Sequence, residues 1–229
     1  RSVVEDPSVD RQGNWFDHYY LTHQALPELD LDQVDIRCVF LGKELQAPLL
    51  IASMTGGDHH EIIKINQRLA EAAEVCGVAM SVGSQRIQFE HPDAKISFSL
   101  RAIAPSIPLI ANLGAVQLNY GFTHYHVQEA LDTLDADALF LHLNPLQEAI
   151  QPEGNTRFSG LWDKIGLLTQ QVNHSIFLKE VGSGLSPELI QKGIQQGIQG
   201  FDIAGTGGTS WSRIEHHRQT KHQSGLTFQ

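Results

Sequence analysis

The chain has 229 residues, 41% of them apolar, with 16 Lys plus Arg against 26 Asp plus Glu, a formal charge of −10. That length and composition suit one large globular domain. The acidic balance excludes broad nucleic-acid binding, which needs clustered cations against phosphate, although a few local donors can still hold a small anion. No apolar stretch approaches the ~20 residues of a membrane span, and the first residues lack a secretory signal. The two cysteines, Cys38 and Cys76, make no disulfide framework. The expectation is a soluble cytoplasmic protein with no membrane partner.

In chain order, residues 1–47 read as an arm packed on the domain that follows, 48–229. That domain opens with the apolar run Pro48-Leu49-Leu50-Ile51-Ala52-Ser53, followed by a helical stripe of Ile62, Ile65, Leu69, Ala72 and Cys76. Runs at 78–82 and 108–112 come next, then a helix marked by Val127, Ala130, Leu131 and Leu134. The run 138–143 precedes a helix with Leu161, Ile165, Leu168 and Val172. After the run 175–181, Ser186-Pro187-Glu188 opens a helix with a capping hydroxyl, a preset φ and an acid at the positive end of the dipole. The last run is Gly200-Phe201-Asp202-Ile203-Ala204.

Near-continuous apolarity, rather than alternation, marks parallel strands covered on both faces. Starts at 48, 78, 108, 138, 175 and 200 give the spacing of a βα unit. The expected fold is α/β, a (β/α)8 TIM barrel with about six of its eight units in this chain. The other two would need roughly sixty more residues, so the chain reads as a fragment. A doubly wound open sheet is the alternative that six units could complete.

Polar residues gather where each run ends. They are Ser53-Met54-Thr55-Gly56-Gly57, Gly83-Ser84-Gln85-Arg86, Asn112-Leu113-Gly114, His142 with Asn144, Gln147 and Glu148, Lys179-Glu180, and Gly205-Thr206-Gly207-Gly208-Thr209. In a barrel these share one rim, where catalytic residues lie. Turn chemistry accounts for the glycines but not for Arg86, His142, Gln147 or Lys179. The 205–209 run lacks both the Rossmann spacing and the Walker lysine. One carboxylate, Glu148, beside neutral amides suits magnesium held through water and phosphate oxygens, and does not suit zinc. His142 alone also reads as a satisfied, semi-buried histidine. Lys179 is read as a Schiff-base nucleophile, a fixed charge for a cofactor, or one half of a salt bridge. The pairs His59-His60 and His216-His217 read as solvated, because adjacent helical residues diverge.

These segments, with Pro152-Glu153-Gly154, Lys179-Glu180-Val181-Gly182 and Asp202 through Trp211, resemble type 2 isopentenyl-diphosphate isomerases in order and spacing over nearly the whole chain. The resemblance implies an FMN-dependent conversion of isopentenyl diphosphate to dimethylallyl diphosphate, with no net redox change. It implies magnesium, a flavin kept reduced by NADPH, acid–base work by the reduced flavin itself, and a homo-oligomer, tetramer or octamer. Carried over by position, it makes Ser53, Met54, Thr55, Ser84, Asn112, Lys179 and Thr209 flavin contacts. Ser84, Gln85, Arg86, His142, Asn144 and Gln147 fall on the substrate side, Gln147 as the proton-handling group, and Glu148 becomes the magnesium ligand. Trp211 and Glu215, four apart, line the alkene.

Two departures from the family pattern stand out. No Arg-Lys pair occurs near the start, and the last two strands, with the loops that grip the flavin phosphate, do not follow Gln229. Competing readings are a Schiff-base aldolase barrel on Lys179, a 2-hydroxy-acid oxidase, which wants a late-loop His–Arg pair, and a truncated non-catalytic scaffold.

Overall fold

A computed structural model describes residue 13 and residues 15–220. Each of the six apolar runs holds a strand, β5 extending two residues past its run: β3 (Leu50–Ile51), β4 (Ala79–Ser81), β5 (Leu109–Gly114), β6 (Ala138–Leu143), β7 (Ser175–Glu180) and β8 (Gly200–Asp202). They are preceded by a hairpin of β1 (Cys38–Phe40) and β2 (Lys43–Leu45). Helices α1 (His60–Cys76), α2 (Ile87–Glu90), α3 (His124–Leu134), α4 (Pro145–Ile150), α5 (Leu161–Gln171), α6 (Pro187–Gln195) and α7 (Trp211–Thr220) fill the intervals.

The six strands form one parallel sheet in the order β3-β4-β5-β6-β7-β8. A doubly wound sheet must reverse its strand order part-way, so that a crevice opens at the switch point. Here the order never reverses, and the sheet is a curled half-barrel: six consecutive units of the (β/α)8 fold. Register places Asn112, Phe140, Phe177 and Gly200 in one row across β5 to β8. Two residues further along lies a polar row of Gly114, His142, Lys179 and Asp202. Side chains two apart share a face, so on β6 and β7 the apolar pair Phe140 and Phe177 underlies the polar His142 and Lys179, while Asn112 on β5 already belongs to the polar side chains.

The main core lies on the helix side of the sheet. Val127, Ala130, Leu131 and Leu134 of α3 are buried as the periodicity requires, and so are Leu161, Ile165 and Leu168 of α5 with Val172 at its end. The Ser186 hydroxyl accepts the Leu189 N–H and caps α6. Helix α1 corrects the expected stripe. Ile65, Ala72 and Cys76 are exposed, and the buried positions are Asn66, Ala70 and Ala73. The two alanines let the helix approach closely, while the Asn66 amide is satisfied by Ser97 and by the Thr55 hydroxyl. A hydrogen-bonded amide is as acceptable inside as an apolar group.

The amino ends of the strands are closed by the hairpin. Leu41 and Gly42, both at positive φ, make its two-residue turn. Phe40 stands 6.1 Å from Phe177, which in turn packs on Phe140. Lys43 pairs with Asp137 at 2.7 Å and donates to the Ile107 carbonyl. Arg101 grips the other side of Asp137, and the Leu109 N–H completes its shell. Burial works against this carboxylate, but Lys43, Leu109 and Arg101 outweigh it and hold the pKa below the ordinary value. Among the described residues of the arm expected over 1–47, this hairpin packs on the sheet. Residues 16–37 are exposed, including Phe16, Tyr20, Leu21 and Leu31, and residues 1–12 and 14 lie outside the described set. Among the described residues, no helix is long and apolar enough to cross a membrane.

Candidate active site

The carboxyl ends of the strands open into a cavity of about 270 Å³, near the lower end of the roughly 300–1,000 Å³ typical of small-molecule sites. The segments at the ends of β3 to β7 line it, together with α7, which follows β8. The first two loops touch through their backbones. The Gly83 N–H donates to the Thr55 carbonyl at 2.5 Å, and a Cβ on Gly83 would sit 2.4 Å from the Thr55 carbonyl carbon. That approach, open only to glycine, brings Ser53, Met54 and Gly56 beside Ser84.

Beyond β6 the chain turns at Asn144 into α4, whose first residue, Pro145, presets the helical φ. Gln147 and Glu148 therefore fall in the first helical turn, at the mouth of the cavity. Asn144 occupies the capping position but bonds no backbone N–H. Its Nδ2 donates to Gln147 Oε1 at 3.1 Å and to Glu148 Oε1 at 3.0 Å. Glu148 Oε2 accepts the Asn155 N–H at 2.5 Å, pinning the next loop. Asn144 Oδ1 is buried with no hydrogen-bond partner among the described residues, an arrangement that calls for a bound donor or a cation.

His142 is neutral. Burial comes first and the Lys179 and Arg86 charges second, and together they push its pKa down to about 3. Its tautomer follows from Asn112. The Asn112 Nδ2 donates to the Val82 carbonyl, which turns Oδ1 toward His142 Nδ1 at 2.9 Å. His142 Nδ1 thus carries the proton, and Nε2 is left as an acceptor.

Lys179, 6% exposed, donates to the Glu180 carbonyl at 2.9 Å and pairs with Asp202 at 3.4 Å. An ion pair is the reverse of the desolvated or cation-flanked lysine that Schiff-base chemistry uses, so the geometry does not favour the aldolase reading. Glu180 turns away, and its Oε2 accepts N–H groups from Gly182, Ser183 and Gly184, fixing the loop after β7. Arg86 reaches the rim beside Glu90, 3.3 Å away. Trp211 and Glu215, one turn apart on α7, make the remaining wall.

Twelve residues expected at the site line this one cavity: Ser53, Met54, Ser84, Arg86, Asn112, His142, Asn144, Gln147, Glu148, Lys179, Trp211 and Glu215. Thr55, Gln85 and Thr209 do not. The Thr55 hydroxyl is spent on Asn66. Gln85 is fully buried, with its amide donating to the Ala130 carbonyl and accepting the Asn112 N–H, so it ties strand ends together and does not face the cavity. Glu90, Gln117 and Gln151 line the cavity without having been singled out. Gln117 sits among Ala115, Val116 and Leu118, which masks it; its three-residue offset from Gly114 in a 3-10 turn was the available signal.

The donor set fits magnesium in kind, since Glu148, Asn144 and Gln147 offer hard oxygens. Among the described residues no three His, Cys, Asp or Glu form a metal cluster, so water and ligand oxygens would have to complete the shell. A buried cation at Lys179 fits the electron-rich edge of a reduced flavin.

No family model matches the chain. Proteins named isopentenyl-diphosphate delta-isomerase do. The one from Paracoccus zeaxanthinifaciens is 52% identical over 100% of this chain and 66% of its own length. That from Hydrogenovibrio crunogenus is 54% identical over 94% of the chain and 63% of its own, and that from a Synechocystis strain 47% over 98% and 64%. The chain therefore spans just under two thirds of these relatives. Among solved structures, a flavocytochrome b2 variant with pyruvate bound has a TM-score of 0.56 at 18% identity, over 80% of this chain and 47% of that one. A mandelate oxidase variant with an FMN adduct has a TM-score of 0.51 at 16% identity, over 75% and 51%. At such identities the likeness is one of fold, and it agrees with the barrel. Half of the residues match across nearly the whole chain, and on that footing the protein belongs to the isopentenyl-diphosphate delta-isomerase family.

Proposed function

We propose that this site converts isopentenyl diphosphate to dimethylallyl diphosphate, with FMN, kept reduced by NADPH, and Mg2+. The observation that carries the reading is the division of one cavity. The cation Arg86 and the oxygen cluster Asn144, Gln147 and Glu148 lie on the loops after β4 and β6, while Lys179, Trp211 and Glu215 come from β7 and beyond. A diphosphate needs charge neutralisation, which Arg86 supplies directly and Glu148 with Asn144 Oδ1 supplies by holding the metal. Gln147, bonded through Oε1 to Asn144, keeps its own N–H groups for the ligand.

The reaction adds a proton to one alkene carbon and removes another from the allylic position, passing through developing positive charge. The face of Trp211 stabilises that charge, and buried Glu215 adds to the field. Neutral His142 presents Nε2 as an acceptor and does not add a competing cation. Ser53, Met54, Ser84, Asn112 and Lys179 would hold the flavin, with Thr55 and Thr209 supporting from behind the lining. When bound, reduced FMN would supply the proton-exchanging centre that ordinary side chains lack toward an unactivated alkene.

We further place residues 48–229 as the barrel domain, 1–47 as its arm, and the protein in the cytoplasm, where unpaired Cys38 and Cys76 would stay reduced. Exposed Phe16, Tyr20, Leu21 and Leu31 support assembly into a tetramer or octamer. The test is direct. The full-length protein, with FMN reduced by NADPH and with Mg2+, should turn isopentenyl diphosphate into dimethylallyl diphosphate. Retention of no flavin, or retention without product, would overturn the reading.

A further inference from the structure

Gln117 lies in a 3-10 turn, Ala115–Asn119, that continues directly from β5. Three residues make one turn of such a helix, so side chains three apart eclipse, and Gln117 stands over Gly114. A Cβ on Gly114 would sit 3.5 Å from the Gln117 Cγ and 3.0 Å from His142 Nε2. The absence of that carbon lets the carboxamide and the imidazole share one corner of the cavity.

Gln117 is 6% exposed and lines the cavity, yet its side chain makes no hydrogen bond to any described residue. Its neighbours behave otherwise. The side-chain amides of Asn66, Gln85, Gln88 and Asn112 all donate to protein acceptors. The Gln117 amide opens onto the cavity, so its two donors are left for a ligand there.

Strand order names the ligand's end. Strand β5 lies between β4 and β6. The loop after β4 supplies Arg86, and that after β6 supplies Asn144, Gln147 and Glu148. Gln117, on the segment after β5, therefore comes from between the elements that supply the guanidinium and the oxygen cluster. We infer that Gln117 is a substrate-contacting residue whose Nε2 donates to a phosphate oxygen of the metal-bound diphosphate. The inference rests on the diphosphate reading above and adds to it a residue that the sequence motifs pass over.

The test measures binding of inorganic pyrophosphate with Mg2+ by calorimetry, using the whole chain. Gln117→Met keeps the length and removes the donors. Gln117→Glu keeps the shape and sets a carboxylate against the anion. Loss of a hydrogen bond to a charged group predicts about tenfold weaker binding or more for Gln117→Met, and a larger loss for Gln117→Glu. Flavin retention, read from visible absorbance, and melting temperature should match the wild type in both. Pyrophosphate binding by Gln117→Met equal to wild type would overturn the assignment alone. So would variants that lose flavin while still holding pyrophosphate. A wild-type chain that binds no pyrophosphate would bring down the diphosphate reading and this inference together.

Discussion

Arg86 illustrates how a single contact sets the strength of a site. Its guanidinium lies 3.3 Å from Glu90, one helical turn on, and both line the cavity. Any anion must compete with that carboxylate for the same N–H groups, and Glu90 also repels the anion directly. Half-exposed pairs of this kind contribute about 0.2–1 kcal/mol. Glu90→Gln should therefore tighten Mg2+-pyrophosphate binding by roughly two- to fivefold, measured by titration at low salt. Weaker binding in the variant would show that Glu90 positions Arg86 and does not compete with the ligand. Residues such as Arg86, His142 and Lys179 were legible in the sequence because no turn needs them. Gln85 was not: it follows Ser84 in a polar loop, and only its bonds to Ala130 and Asn112 show that it faces inward.

At the scale of elements, the hairpin β1–β2 has a role that its sequence conceals. Each strand is three residues long, too short to show a period. Its contribution comes from what it covers: Phe40 and Leu41 of the hairpin, beside Leu50 of β3, pack against Ile110, Ala138, Phe140 and Phe177. The helices differ in legibility for a related reason. Helices α3 and α5 bury leucine, isoleucine and valine, so their inner faces follow from hydrophobicity. Helix α1 turns small residues and Asn66 inward and leaves Ile65 and Val75 outside, because closeness to the sheet outweighs side-chain size there. Phe40→Ala removes a half-buried ring from the inner layer. It should lower unfolding free energy by about 1–3 kcal/mol, read as a lower denaturant midpoint with unchanged slope. An unchanged midpoint would mean that the hairpin is an ornament and not a plug.

Across the whole molecule, the half-barrel is layered from a dry floor to a wet mouth, and ionisable groups feel where they lie in that gradient. Asp137, among its cations at the floor, has a lowered pKa, so its contribution is lost only as pH falls below the ordinary carboxylate range. His142 lies in the polar layer above the phenylalanines, where burial, Lys179 and Arg86 oppose its protonation down to about pH 3. The unfolded chain takes up that proton near 6.5, the ordinary histidine value. Between those limits the unfolded state binds one more proton than the folded one, so stability falls as pH falls. The ceiling is ~1.4 kcal/mol per pH unit. Because one edge of the ring faces the cavity, the effect should be smaller, about 1 kcal/mol between pH 6.5 and 5. Denaturant melts of wild type and His142→Gln at pH 7 and 5 isolate it, since every other group is common to both proteins. Wild type should lose more stability on acidification than the variant. Equal losses would mean that His142 is charged in the folded protein, and a cation there would face Arg86 and Lys179 across the same cavity.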